Sequence, residues 1–120
     1  MLSTVLYKLP TQMAEIIDAQ LKKGVLELCV LELLSHGESY AYEIASRMAE
    51  AIGMGEGTVY PLMRRLHTEG LVETHLVEST SGPPRKYYRI TRSGRAELTR
   101  EREAWRTFTR AVEGILGGRK

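Results

Sequence analysis

Apolar residues recur at helical spacing along most of the chain, and the pattern predicts five helices. In four stretches the apolar positions lie mainly three or four residues apart, which places them on one face of a helix. The second stretch is apolar at eight of ten positions, so we expect that helix to be buried on most sides. The five stretches are residues 11–21, 25–34, 39–52, 57–69 and 91–116.

The third and fourth helices are separated only by a glycine-rich run. Ser39 is expected to cap the third helix, and residues 53–57 contain the glycines that break it. The fourth helix should end before Gly70, as helices commonly do. Two helices joined by a short turn predict a helix-turn-helix. The core face of the fourth helix is expected to consist of Val59, Leu62, Met63 and Leu66.

Residues 71–90 differ in composition from the predicted helices, because runs of Val, Thr, Tyr and Ile surround a turn from Ser79 to Pro84. This pattern predicts two antiparallel strands, with Tyr88 and Ile90 facing the core. The fold class is therefore mostly α with a small two-stranded wing. It is a winged helix-turn-helix with an N-terminal helix and a long C-terminal dimerisation helix.

The last helix, with Thr91 as its expected N-cap, carries apolar residues that recur about every 3.5 positions. This spacing is typical of helices that pack side by side, so we expect the helix to form a dimer. We divide the single compact domain into residues 1–91, with the N-terminal helix and the DNA-binding region, and residues 92–120 for dimerisation. The expected dimer contacts are Leu98, Trp105, Phe108, Val112, Ile115 and Leu116.

The net charge of +2 conceals a strong separation of charge along the chain. Residues 79–95 hold five basic and no acidic side chains, whereas residues 1–78 sum to −5. A local field of one sign favours a polyanionic partner. Arg85 and Lys86 follow a stiff Pro-Pro pair at the turn, where they are expected to grip DNA phosphates.

The outward face of the fourth helix suits the major groove of DNA. If its apolar face is buried, Tyr60, Pro61 and Arg64 point outward, with Thr58 and Arg65 beside them. Arginine can bond guanine edges, and hydroxyl groups can bond phosphates. A solvated face is the alternative interpretation, as is a winged-helix adaptor that binds protein and not DNA, or a ligand sensor that acts through a partner.

Composition and motifs argue against other classes of protein. The single Cys29 excludes an intramolecular disulfide and is expected to pack in the core. No apolar run approaches the roughly 20 residues that span a bilayer, and the first ten residues make a poor signal peptide, so we expect a cytoplasmic protein. The three histidines are scattered and no phosphate-binding glycine motif occurs. We therefore expect no enzyme, no metal and no cofactor.

Trp105 is the only tryptophan and has two interpretations. It is either a core residue of the dimer or one wall of an aromatic pocket formed where two copies meet.

The motifs together resemble the PadR family of bacterial transcriptional regulators. The similar segments are Lys23 to Leu34, Tyr40 to Ile44, Gly57-Thr-Val-Tyr-Pro61 with Arg65-Leu66 and Glu69 to Leu71, and Pro84 to Thr91 with Gly94. The single long terminal helix resembles the short-chain branch.

This resemblance implies a homodimeric repressor of a palindromic operator, in some relatives released by a small aromatic effector. It also implies that Trp105 lines an effector pocket and that Tyr42 contacts the DNA backbone. The DNA contacts that it implies, together with the outward face derived above, are Tyr42, Thr58, Tyr60, Pro61, Arg64, Arg65, Arg85, Lys86 and Tyr87.

Overall fold

The computed structural model describes residues 25–117, which form four helices and three strands. The helix expected at residues 11–21 lies outside the described residues. In chain order the elements are α1 (Leu26–Ser35), β1 (Ser39–Tyr40), α2 (Ala41–Ile52), α3 (Glu56–Thr68), β2 (Val72–Val77), β3 (Arg85–Ile90) and α4 (Arg92–Leu116).

The turn between α2 and α3 begins at a glycine in the left-handed region of backbone space. Gly53 has a φ of 74° and follows the last residue of α2, where a side chain would be strained. A second such glycine, Gly70 with a φ of 78°, follows α3 and turns the chain into β2. The predicted helix-turn-helix is thus confirmed, including the end of its second helix before Gly70.

The three strands form one antiparallel sheet in the order β1, β3, β2. β2 and β3 are the expected hairpin, which we call the wing, with Val72 opposite Ile90 and Val77 opposite Arg85. The short β1 was not expected. Its two residues pair with Tyr88 and Tyr87 of the wing.

This pairing also corrects the expected start of α2. Ser39 lies in β1 and does not cap the helix; Tyr40 occupies the N-cap position, without a capping side-chain bond. Ser39 is a good capping residue by type, but the backbone pairing with β3 places it one position too early in the chain. The prediction of a Ser39 cap was wrong.

One hydrophobic core joins all four helices and the sheet. Val59, Met63 and Leu66 of α3 are almost fully inaccessible to solvent, and Tyr88 and Ile90 face inward from β3, as predicted. Cys29 is half-buried and packs against this core. The buried residues are Leu26, Val30, Leu31, Leu34, Ile44, Ala45, Met48, Met54, Val59, Leu62, Met63, Leu66, Val72, Tyr88, Ile90 and Leu98.

Leu98 belongs to this core and not to a seam between chains. It is 4% exposed in the single chain, because the first turns of α4 lie against α1 and β3. Periodicity had grouped it with the apolar residues further along α4. Its expected role in dimerisation is therefore corrected.

The start of α4 is tied closely to the start of the wing. Thr91 caps the helix as predicted, and its Oγ1 accepts a hydrogen bond from the Gly94 amide at 2.9 Å. The same hydroxyl donates to the carbonyl oxygen of Gly70 at 2.7 Å, and the Thr91 amide donates to that of Leu71 at 3.1 Å. These bonds fix the direction in which α4 leaves the domain.

Candidate nucleic-acid interface

The outward face of α3 is exposed and carries one cation without a partner among residues 25–117. Arg64 makes no hydrogen bond or ion pair with any residue in that range. Pro61 and Thr68 lie on the same face, and all three are exposed. Glu56 and Glu69 lie toward the edges of this face, so an anion approaching its centre meets a cation first.

The first turns of α3 leave room for close approach of another backbone. Gly57 is exposed, and a Cβ built on it would meet no atom within 4 Å. Pro61 has no amide hydrogen, so the carbonyl of Gly57 lacks its usual helical partner. This end of the helix therefore offers a free acceptor and little side-chain bulk.

Tyr60 is less outward than the sequence suggested. It is half-buried and packs against the core, at the side of α3 that faces Tyr42 and Tyr88. Burial, followed by the nearby charge of Glu56, raises the pKa of the Tyr60 hydroxyl, which stays neutral and able to donate. Tyr42 is 59% exposed beside it. The two tyrosines thus form one edge of the exposed α3 surface.

The opposite edge of α3 holds Arg65, and its guanidinium is already paired. Its Nη2 donates to the Glu27 carboxylate of α1 at 2.7 Å, and its Nη1 donates to Glu69 at 3.0 Å. Two carboxylates on one guanidinium leave no net positive charge for a phosphate. Thr58, half-buried, lies about two turns earlier on the same edge.

Arg85 and Lys86 were expected to point together toward DNA, but adjacent residues of a strand face opposite sides. Arg85 lies over the Tyr40 ring, with its guanidinium carbon 4.6 Å from the ring centroid, and so is held against the body of the domain. Lys86 is exposed on the other side, across from exposed Leu76. Lys86 is thus the freer of the two cations.

Tyr87 shares the side of the wing that carries Arg85. Its ring lies edge-on to Tyr40 at 5.5 Å between centroids and stacks on His75 at 6.1 Å. The aromatic contacts bind β1 to the wing and keep Tyr87 half-buried. The packing of its ring against Tyr40 and His75 therefore holds the Tyr87 hydroxyl in place.

Ion pairs neutralise part of the positive charge of residues 79–95. Arg89 pairs with Glu73 across the wing at 2.9 Å and lies 3.8 Å from Glu38. These acids are remote from Arg89 in sequence, so a count of local charge overlooked them. Among residues 25–117, no ion pair involves the other four basic residues of this stretch, Arg85, Lys86, Arg92 and Arg95.

The second half of α4 leaves a line of apolar side chains exposed. Trp105 is 41% and Phe108 61% exposed, and their ring centroids are 6.4 Å apart. Ile115 and Leu116 are more exposed still, while Val112 is half-buried. With Leu98 assigned to the core, the other five residues predicted for dimerisation all lie on this second half of α4.

A groove of about 590 Å³ lies between α1, α3 and α4 and connects this line to α3. Trp105 and Phe108 form one wall, and Pro61 and Arg65 of α3 form another. Glu101 also lines it. Trp105 borders a second groove, of about 760 Å³, between α1, α2 and α4.

Three carboxyl groups meet beside the first groove, a feature that the sequence did not indicate. Oxygens of Glu27, Glu97 and Glu101 lie within 4.8 Å of one another. Burial, followed by hydrogen bonds to Glu27 and Glu97, raises the pKa of Glu101 to about 9. The hydrogen bond from Glu101 in turn lowers the pKa of Glu27, and Arg65 adds to that effect.

The geometry defines a class of protein. A helix-turn-helix with an exposed second helix and an adjoining basic hairpin is a winged helix-turn-helix, a DNA-binding arrangement. Among residues 25–117, no helix has both the length and the apolar character needed to cross a membrane.

Comparison with known proteins identifies the family. The model of the PadR-like transcriptional regulator family matches residues 30–100, and the chain belongs to this family. A PadR-like transcriptional regulator of Bacillus cereus is similar in structure, with a TM-score of 0.76 and 37% identity over 83% of this chain and 99% of that one. A PadR family regulator of Eggerthella lenta has a TM-score of 0.76 and 30% identity over 90% of this chain and 96% of the other.

A transcriptional regulator of Mycobacterium tuberculosis is 42% identical over 60 residues, which cover 48% of this chain and 53% of that protein. The chain is a PadR-family transcriptional regulator with a DNA-binding winged-helix fold, and the resemblance noted in the sequence is confirmed.

Proposed function

We propose that the protein is a homodimeric, cytoplasmic repressor that binds a palindromic operator and releases it when a small aromatic effector binds. The observation that carries the DNA-binding part is the exposed face of α3, where Arg64 lies without a partner among the described residues. Arg64 is the residue that we assign to base recognition, because a free guanidinium can form two bonds to one guanine.

The remaining DNA contacts are assigned by position and exposure. Lys86 on the wing and Tyr42 beside α3 are both exposed and suit phosphates, and Arg85 contributes charge from its place over Tyr40. Thr58, Tyr60, Pro61 and Tyr87 complete the proposed surface. Arg65 is the weakest member of the set, since Glu27 and Glu69 already neutralise it.

Dimerisation is proposed from the exposed line on α4. In the part of the chain that the structure describes, residues 25–117, Phe108, Ile115 and Leu116 are more than half exposed on one helix, which is unfavourable unless another surface covers them. A second copy of the same helix has the complementary surface by symmetry. Two recognition helices would then read half-sites about one DNA turn, roughly 34 Å, apart.

The test of DNA recognition uses a duplex that contains the palindrome nearest the protein's own gene. We expect Arg64→Ala to weaken operator binding about tenfold or more, while binding to random duplex changes far less. Arg110→Ala, an exposed arginine of α4, is the matched control and should bind as the wild type does. Fluorescence anisotropy at two salt concentrations measures both affinities. Equal losses on the two duplexes would reduce Arg64 to a phosphate contact.

The effector proposal rests on Trp105, which borders both grooves. As the only tryptophan, it reports its surroundings without interference from another indole. A panel of planar aromatic compounds should include at least one that quenches Trp105 emission and also weakens operator binding. Quenching without any effect on DNA binding would contradict the effector role.

A further inference from the structure

A chain of neighbouring polar side chains runs from α3 to α4 through α1. Arg65 of α3 bonds Glu27 of α1 at 2.7 Å, although the two residues are 38 positions apart in sequence. A carboxylate oxygen of Glu27 lies in turn within 4.8 Å of one from Glu101 of α4. Three separate helices are thus joined by three adjacent side chains, all of which line the same groove.

The charges along this chain do not balance if every carboxyl group is ionised. Arg65 serves both Glu27 and Glu69, and Arg100 is bonded to Glu97. Among residues 25–117 no ion pair reaches Glu101. A carboxylate that is close to two others and has no cation of its own is destabilised by repulsion, whereas a protonated one can donate a hydrogen bond to its neighbour.

We propose that Glu101 keeps its proton at neutral pH and uses it to donate a hydrogen bond to Glu27, and that the chain Glu101, Glu27, Arg65 holds α3 in its DNA-binding position. Glu27 and Glu101 are positioning residues here, since they act on DNA only through α3. The inference rests on the proposed DNA binding by α3. It adds to that function a proton-dependent link between α3 and α4.

The electrostatics of the site support this assignment. The pKa of Glu101 is raised to about 9, first by burial and then by its hydrogen bonds to Glu27 and Glu97. The pKa of Glu27 is lowered, so the pair shares one proton over the neutral range. Above about pH 9 the proton is lost and three carboxylates face one another between α1 and α4. Repulsion then favours separation of α4 from α1, which removes the support that α4 gives to the Glu27–Arg65 pair.

The first experiment needs no DNA. Carbon NMR of the glutamate carboxyl groups, recorded from pH 4 to pH 11 on the full chain, measures each titration. We expect one signal with a midpoint near 9, absent in Glu101→Gln and present in Glu103→Gln, a substitution at an exposed site two residues along α4. If every carboxyl group titrates below about pH 6, the proposal is overturned.

A second measurement without DNA follows the groove itself. Trp105 lies one helical turn after Glu101 and borders the same groove. Its emission should change near pH 9 in the wild type and in Glu103→Gln, and not in Glu101→Gln, which keeps a neutral hydrogen-bonding side chain. The same change in all three proteins would contradict a link through Glu101.

The third measurement is operator affinity against pH at constant ionic strength. Between pH 7.5 and pH 9.5 we expect the wild type and Glu103→Gln to lose about fivefold more affinity than Glu101→Gln, a coupling of ordinary size between two sites. Parallel curves for all three proteins would overturn the link between α3 and α4. Absence of operator binding at every pH would refute the proposed function instead, and the two measurements without DNA would still decide whether the proton is present.

Discussion

Gly94→Ala should destabilise the domain strongly, although alanine is the better helix former. Gly94 is buried in the first turn of α4, against the residues that begin and end the wing. A Cβ at this position would lie 2.1 Å from the carbonyl oxygen of Leu71 and 2.7 Å from Cγ1 of Ile90. The first of these neighbours is backbone, which cannot move aside as a flexible side chain can.

The magnitude follows from three contributions. Forcing extra volume into a packed site costs about 1–3 kcal/mol. Moving the Leu71 carbonyl also weakens its hydrogen bond with the Thr91 amide, a net loss of about 0.5–1.5 kcal/mol. Replacing glycine by alanine in a helix returns about 0.5–1 kcal/mol. We therefore expect a net loss of about 2–3 kcal/mol, or roughly 10–20 °C in melting temperature for a domain of this size.

Gly114→Ala provides the matched control on the same helix. Its Cβ would meet no atom within 4 Å, so only the gain in helix propensity, about 0.5–1 kcal/mol, remains. Urea and thermal unfolding followed by circular dichroism, at one fixed protein concentration, compare both variants with the wild type. If Gly94→Ala unfolds at the same urea concentration as the wild type or higher, the argument from close approach is refuted.

Three further predictions concern α4. Thr91→Ala removes the helix cap and the bond to the Gly70 carbonyl, and urea unfolding should show a loss of about 1–2 kcal/mol. Phe108→Gln should shift sedimentation toward monomer, while Arg110→Gln, on the opposite side of the helix, should not; equal behaviour would contradict the proposed seam. In the proposed arrangement the folded state retains the Glu101 proton from about pH 5 to pH 9 and the unfolded state does not, so wild-type stability should fall as pH rises through this range. The free energy of unfolding of Glu101→Gln should depend less on pH and should exceed that of the wild type by about 1 kcal/mol at pH 8, after allowance for solvent screening. Glu103→Gln should follow the wild type.

Sequence periodicity predicted the parts of the fold that depend on local pattern. The spacing of apolar residues in α3 and the turn residues around the wing located these elements, since each is specified within a few positions of the chain. Thr91 was recognised as a cap for the same reason. The pairing of Ser39 and Tyr40 with β3 was missed because two residues carry no alternation from which a strand can be inferred.

Features that depend on distant residues were not predictable in this way. The 3.5-residue spacing on α4 grouped Leu98 with Phe108, yet periodicity does not distinguish burial within a chain from burial between chains. Arg65 was assigned to the DNA surface from its helical angle, and its partner Glu27 lies 38 residues earlier. Glu101 resembles any other acid of a solvated helix until the fold places it beside two more.

The two-residue strand β1 has a consequence for how operators can change during evolution. By pairing with β3, it ties the start of α2 to the wing, so that the helix-turn-helix and the wing form one DNA-binding unit. In the proposed dimer, the distance between the two DNA-binding units depends on where and how α4 pairs with its partner. Substitutions along the exposed line of α4 can therefore alter the spacing of the half-sites while each unit still binds the same bases. Half-site spacing and base preference can then evolve independently.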